Sequence, residues 1–334
     1  MRQKNPLLKI KQNIKSFLKR RPHRSFHLTR HRDYARSLKL PGYFAFTAYV
    51  RKTIWSNRRL FGLLIVFYIL ITIFMVGIAS QDTYNTIKGT LDTTSNNVLG
   101  EIGKAGLLFV TAITGGLSQS LSDIQQVYTG IIMLIVWLTS VWLLRNILAG
   151  HKVQLRDGLY NAGAPIVSTF VVMLLLLVQL LPFALVLIGY SAASTSGLLA
   201  GGVESMLFWI AAGLMTMLSL YWITSTLFAL VIVTLPGMYP FQAIKTAGDL
   251  VVGRRLRILL RFLWMLLSTV VAWAIIMIPI IMIDSWIKGI WPVISWVPTI
   301  PALLLVLSAM TVIWMSSYVY LLYRKVVADD VDPA

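Results

Sequence analysis

Arg254, Arg255, Arg257 and Arg261 form the cluster whose residue type and spacing best suit a specific contact. Arg254, Arg257 and Arg261 stand at i, i+3 and i+7, which on a helix puts three guanidinium groups on one face. A guanidinium fork matches phosphate oxygens two at a time, so the cluster is expected to hold the headgroup of an anionic lipid. Arg58 and Arg59 provide a second basic pair for the same purpose. Ordinary topology determination is the competing explanation of all six. His23, His27 and His31 are spaced by four, as a metal site would want, but Arg24, Arg30 and Arg32 flank them and repel a cation. The carboxylates Asp82, Asp92, Glu101, Asp123, Glu204 and Asp284 are scattered, with no pair spaced for general acid–base work. Neither a GxxxxGK[ST] phosphate loop nor a GxSxG nucleophile turn occurs. The absence of cysteine excludes disulfides and thiolate chemistry. A protein that is not an enzyme is therefore expected, with no cofactor and no metal.

A second group of polar residues lies inside apolar sequence. Gln179 is the deepest strongly polar side chain, with Pro182 three residues on. Thr216, Ser219, Tyr221, Thr224, Ser225 and Thr226 follow in the next apolar run. Gln179, Thr216, Ser219 and Thr224 could line a cavity; hydrogen bonding between packed helices is the alternative. No apolar run carries Asp, Glu, Lys, Arg or His near its centre, where an ion-coupled transporter keeps its titratable groups.

These residues must be positioned by membrane helices. Six apolar runs, at about 60–79, 128–148, 164–190, 206–235, 258–283 and 299–323, are each long enough to span a ~30 Å hydrocarbon core at 1.5 Å per residue. Of the 30 Lys and Arg residues, 27 fall before the first run, in alternate loops or the run ends beside them, or after the last. The other face keeps only Lys88, Lys104 and Lys288. That asymmetry predicts both termini on the cytoplasmic side of an inner membrane. The first run is expected to act as an uncleaved start-transfer segment, with no signal peptide before it. The fold class is thus an all-α, polytopic six-helix bundle, in keeping with an apolar content of 57%. A net charge of +18 beside a bilayer points to anionic phospholipid rather than nucleic acid.

Three regions organise the chain: a basic arm over 1–59, the transmembrane domain over 60–325 and a short acidic tail over 326–334. In the arm, Leu7, Ile10, Ile14 and Phe17 trace one helical face among lysines, as a surface helix would; a disordered basic tail is the alternative. Residues 42–62 read as an elbow helix leading into the first span, and residues 240–262 as another leading into the fifth. The two share RRL, at 58–60 and 254–256. LRDGLYNAGAP, before the third span, suggests a third elbow and hence a parallel repeat. On the outer face, the loop at 81–127 predicts a helix over 86–113, from Leu91, Val98, Ile102, Ala105, Phe109 and Ala112. Its apolar part is too short to span and should lie at the interface or fold onto the bundle. Trp286, Trp291 and Trp296 mark the interface in the last outer loop.

The run 239–260, in which a proline and an alkyl-rich elbow lead through GRR into the next span, resembles a loose group of bacterial six-helix membrane proteins. That group includes the membrane domain fused to glycerophosphodiester phosphodiesterases. The likeness covers the six-span plan over about 44–325, but not the basic arm or the outer loop. It implies a membrane module that anchors or binds a protein partner, with no reaction and no catalytic residue to carry over. A scaffold or accessory subunit gripping anionic lipid is the expectation; a transporter, lipid-handling protein or permease-like subunit is the alternative.

Overall fold

A computed structural model describes residues 40–77, 101–113, 122–291, 293 and 295–331. The expected surface helix at 7–17, the three histidines and residues 78–100 and 114–121 of the outer loop lie outside the described residues. Among the described residues all regular structure is helical, and six helices are long and apolar enough to cross a membrane. The chain is a multi-pass membrane protein.

The long helices are α2 (Arg58–Met75), α4 (Asp123–Leu148), α6 (Ile166–Thr195), α7 (Gly202–Ile232), α9 (Arg255–Ile290) and α10 (Thr299–Val331). Shorter helices precede three of them: α1 (Tyr43–Ser56) leads to α2, α5 (Leu155–Ala162) to α6 and α8 (Pro240–Val251) to α9. All three expected elbows are therefore helical. The last two pack through small residues. Gly158 and Ala162 bury α5 against α4, and a Cβ on Gly158 would meet Leu143 and Thr139 at 3.2 Å. Ala243, Ala247 and Gly248 are buried on α8, which folds back on α7, while Gln242, Lys245 and Asp249 stay exposed. Alanine and glycine let helices approach closely, which matters where no hydrophobic effect drives them together.

The remaining boundaries have local causes. In α2, Phe61, Leu64, Tyr68 and Thr72 form the buried stripe, and Leu63, Val66, Leu70 and Phe74 face outward. Helix α4 starts at Asp123, five residues before the apolar run, because Ser122 and Gln125 form a capping box. Gln125 Nε2 also donates to Val76 O at 2.8 Å, tying the start of α4 to the end of α2. Helix α10 runs through the supposed tail to Val331, so residues 326–331 continue the last span as helix. The short helix between the first two spans, α3 (Glu101–Ile113), is folded onto the bundle: Ala105, Leu108 and Phe109 pack with Met277 and Ile281 of α9 and Ile300 and Leu307 of α10.

The α9–α10 turn holds a buried ion pair. Asp284 and Lys288, one helical turn apart, lie 3.1 Å apart and are only 7% and 12% exposed. Thr299 donates to Asp284 Oδ1, and Lys288 Nζ donates to Val297 O at 3.1 Å and Thr299 Oγ1 at 3.2 Å. Trp286, Trp291 and Trp296 around it are exposed, as interfacial anchors are.

Two predictions follow from these ties. Gln125→Ala removes half of the capping box and the Val76 bond, and should cost about 1–2 kcal/mol, read as a Tm lower by a few degrees in detergent. Asp284→Asn should cost about 3 kcal/mol, because it strands a buried ammonium. Adding Lys288→Met to it should restore most of that loss in the same Tm measurement.

Candidate functional site

The basic cluster sits where α8 turns into α9. Gly253 takes φ +78°, a left-handed conformation open to glycine, and so reverses the chain into Arg254. From there the four arginines diverge. Arg254 is 4% exposed; its Nη2 lies 3.4 Å from Asp329 Oδ2, and Nη1 donates to Val326 O at 3.4 Å. It ties the start of α9 to the far end of α10. Arg255 stacks over the Tyr221 ring at 3.6 Å and donates to Tyr221 O at 3.2 Å, joining α9 to α7. Arg261 is 7% exposed; it donates to Pro41 O and stacks over Tyr43 at 4.1 Å, beside the Tyr318 hydroxyl. Arg257 is exposed.

The i, i+3, i+7 set is thus not one open basic surface. Arg254 and Arg261 share a side of the helix with buried Ile258 and Met265, so a charge placed there must be satisfied from within. The heptad 254, 258, 261, 265 is the sequence signal for this inward face. Arg261 acts with Trp264, whose Nε1 donates to Thr47 Oγ1 at 3.0 Å, to dock α1 on α9. Phe46 then meets Tyr318 edge to face at 4.9 Å. Arg58 and Arg59 are exposed, Arg58 lying 6.0 Å from the Trp55 ring centre. Arg58, Arg59 and Arg257 are therefore the members of the set that face away from the protein.

The polar residues of α6 and α7 join those two helices. Thr226 Oγ1 donates to Gln179 Oε1 at 2.6 Å. Phe183 N donates to Ser219 Oγ at 3.2 Å. Phe183 follows Pro182, whose ring disturbs the helical ladder, and the Ser219 hydroxyl meets an amide at that disturbance. Thr216 and Thr224 bond to Ala212 O and Leu220 O of their own helix. None of Gln179, Thr216, Ser219 and Thr224 borders the cavity described next.

That cavity, of about 300 Å³, lies at the end of α4, where α5, α6 and the α7–α8 turn converge. Its wall includes Trp142, Arg145, Asn161, Ser168, Thr234 and Met238. Arg145 Nη1 donates to Thr234 O at 3.2 Å. The sequence places Arg145 near a span end, where a long side chain can snorkel to water. Residues of α5 and the start of α6 beside it make it part of a wall as well, which periodicity alone does not reveal.

The two kinds of arginine should separate on substitution. Arg261→Gln loses the ring contact and should lower stability by roughly 2 kcal/mol, seen as a lower Tm in detergent. Arg257→Gln should leave Tm unchanged. No protein family, curated protein or solved structure matches this chain.

Proposed function

We propose that this chain is a non-enzymatic scaffold or accessory protein of an inner membrane, with its basic end at the cytoplasmic surface against anionic lipid. The observation that carries the reading is where the polar groups inside the spans go. Gln179 with Thr226, and Ser219 with the Phe183 amide, are used to hold α6 and α7 together. Such bonds suit a fixed helix pair rather than the wall of a passage. Exposed Arg58, Arg59 and Arg257 supply outward charge, each contributing about 1 kcal/mol near an anionic surface. The resemblance to membrane modules fused to a phosphodiesterase agrees with a role in anchoring or binding a protein partner.

Lipid handling is the second reading, and the cavity beside Arg145 is what favours it. One pair of measurements decides. Protein extracted together with its native lipid should show a stoichiometric protein partner in native mass spectrometry, and proteoliposomes should move neither solute nor lipid between leaflets. Solute flux or lipid transfer in proteoliposomes would overturn the scaffold reading. The triple variant Arg58→Gln/Arg59→Gln/Arg257→Gln should lose the enrichment of anionic lipid around the protein in a salt-dependent way.

A further inference from the structure

We infer that the cavity at the end of α4 is a seat for a single phosphate-bearing headgroup, that of one anionic phospholipid. The inference rests on the reading that the basic end faces anionic lipid, and it names a place that the exposed arginines do not. Four elements build the seat: Trp142 and Arg145 come from α4, Asn161 from α5, Ser168 from α6, and Thr234 and Met238 from the α7–α8 turn.

Arg145 is the one ionisable residue in that wall, so the cavity carries a positive charge with no carboxylate beside it. The Thr234 carbonyl takes one guanidinium N–H at 3.2 Å and fixes the plane of the fork. A guanidinium has five N–H donors, so donors remain for a phosphate oxygen pair. Ser168 adds a hydroxyl donor. Asn161 Nδ2 is engaged by Asp157 O at 2.7 Å, which leaves the Asn161 amide oxygen as an acceptor for a headgroup hydroxyl.

Two features point to a lipid rather than free phosphate. The wall also contains Leu138, Val233 and Leu235, apolar surface that a free anion would desolvate against without gain. The outer side of α6 beginning next to Ser168 is exposed and apolar, with Val167 at 74% and Phe170 at 46%. A volume of about 300 Å³ admits a phosphate and glycerol, leaving acyl chains to run along that side.

The test is native mass spectrometry of delipidated protein in detergent, with phosphatidylglycerol or phosphatidylcholine added. The wild type should keep one phosphatidylglycerol adduct and no comparable phosphatidylcholine adduct. Arg145→Gln should reduce that adduct about tenfold, the loss of one charge-assisted pair. Ser168→Phe, which fills the cavity and keeps the charge, should do the same, and stands in should Arg145→Gln fail to fold. The triple variant Arg58→Gln/Arg59→Gln/Arg257→Gln should keep the adduct. An adduct that survives Arg145→Gln or Ser168→Phe overturns the site. Loss of the adduct in the triple variant alone overturns it too, and leaves the surface reading standing. Displacement of the adduct by inorganic phosphate at equal concentration would assign the cavity to a free anion and overturn the lipid.

Discussion

A helix ends with carbonyls that have no partner within the helix, and near a hydrocarbon phase water cannot supply one. Much of this structure answers that constraint by reaching across from another element. Gln125 serves Val76 at the end of α2, and Arg145 serves Thr234 just past α7. The same kind of donor also reaches carbonyls that precede a helix: Arg261 serves Pro41 before α1, and Lys288 serves Val297 before α10. In each case a long donor from one element closes the backbone of another. The same bond that satisfies an end also fixes which two ends are neighbours, so the connection of the bundle follows from it.

The basic end gains a second meaning from this. Charge asymmetry along a chain is a statement about orientation during insertion, and any Lys or Arg would serve it equally. Arginine is used here for more than its charge. Arg255 and Arg261 both sit over tyrosine rings while donating to a carbonyl, a combination that a lysine ammonium does not reproduce. Arg254 adds an ion pair to Asp329. The result is an end in which inward arginines set the packing of α1, α7, α9 and α10, and outward ones are left for what lies outside the protein.

How much of this the sequence shows depends on the scale of the question. The six spans are visible because length and hydropathy are properties of a segment by itself. The helical elbow before the fifth span is visible because Pro240 and Gly253 bracket it and the polar stripe of α8 is regular. Whether an arginine at a given helical position faces lipid or protein is a property of the neighbours, and the i, i+3, i+7 spacing of Arg254, Arg257 and Arg261 is silent on it. The repeated RRL makes the point. Arg58 and Arg59 are exposed, whereas Arg254 is buried and Arg255 is stacked, although the two copies match letter for letter. Two local ties do have a sequence signal, the S-x-x-Q of Ser122 and Gln125 and the D-x-x-x-K of Asp284 and Lys288.

The bond between Gln125 and Val76 has one more consequence. It pins together two points 49 residues apart, so the chain between them is already closed into a ring. Closing a ring costs entropy that grows only with the logarithm of its length, about 0.6 kcal/mol for each doubling. A longer connection between these two points therefore adds little to the cost of bringing them together. The tie between α2 and α4 is thus insensitive, in its entropy, to how many residues separate its two ends.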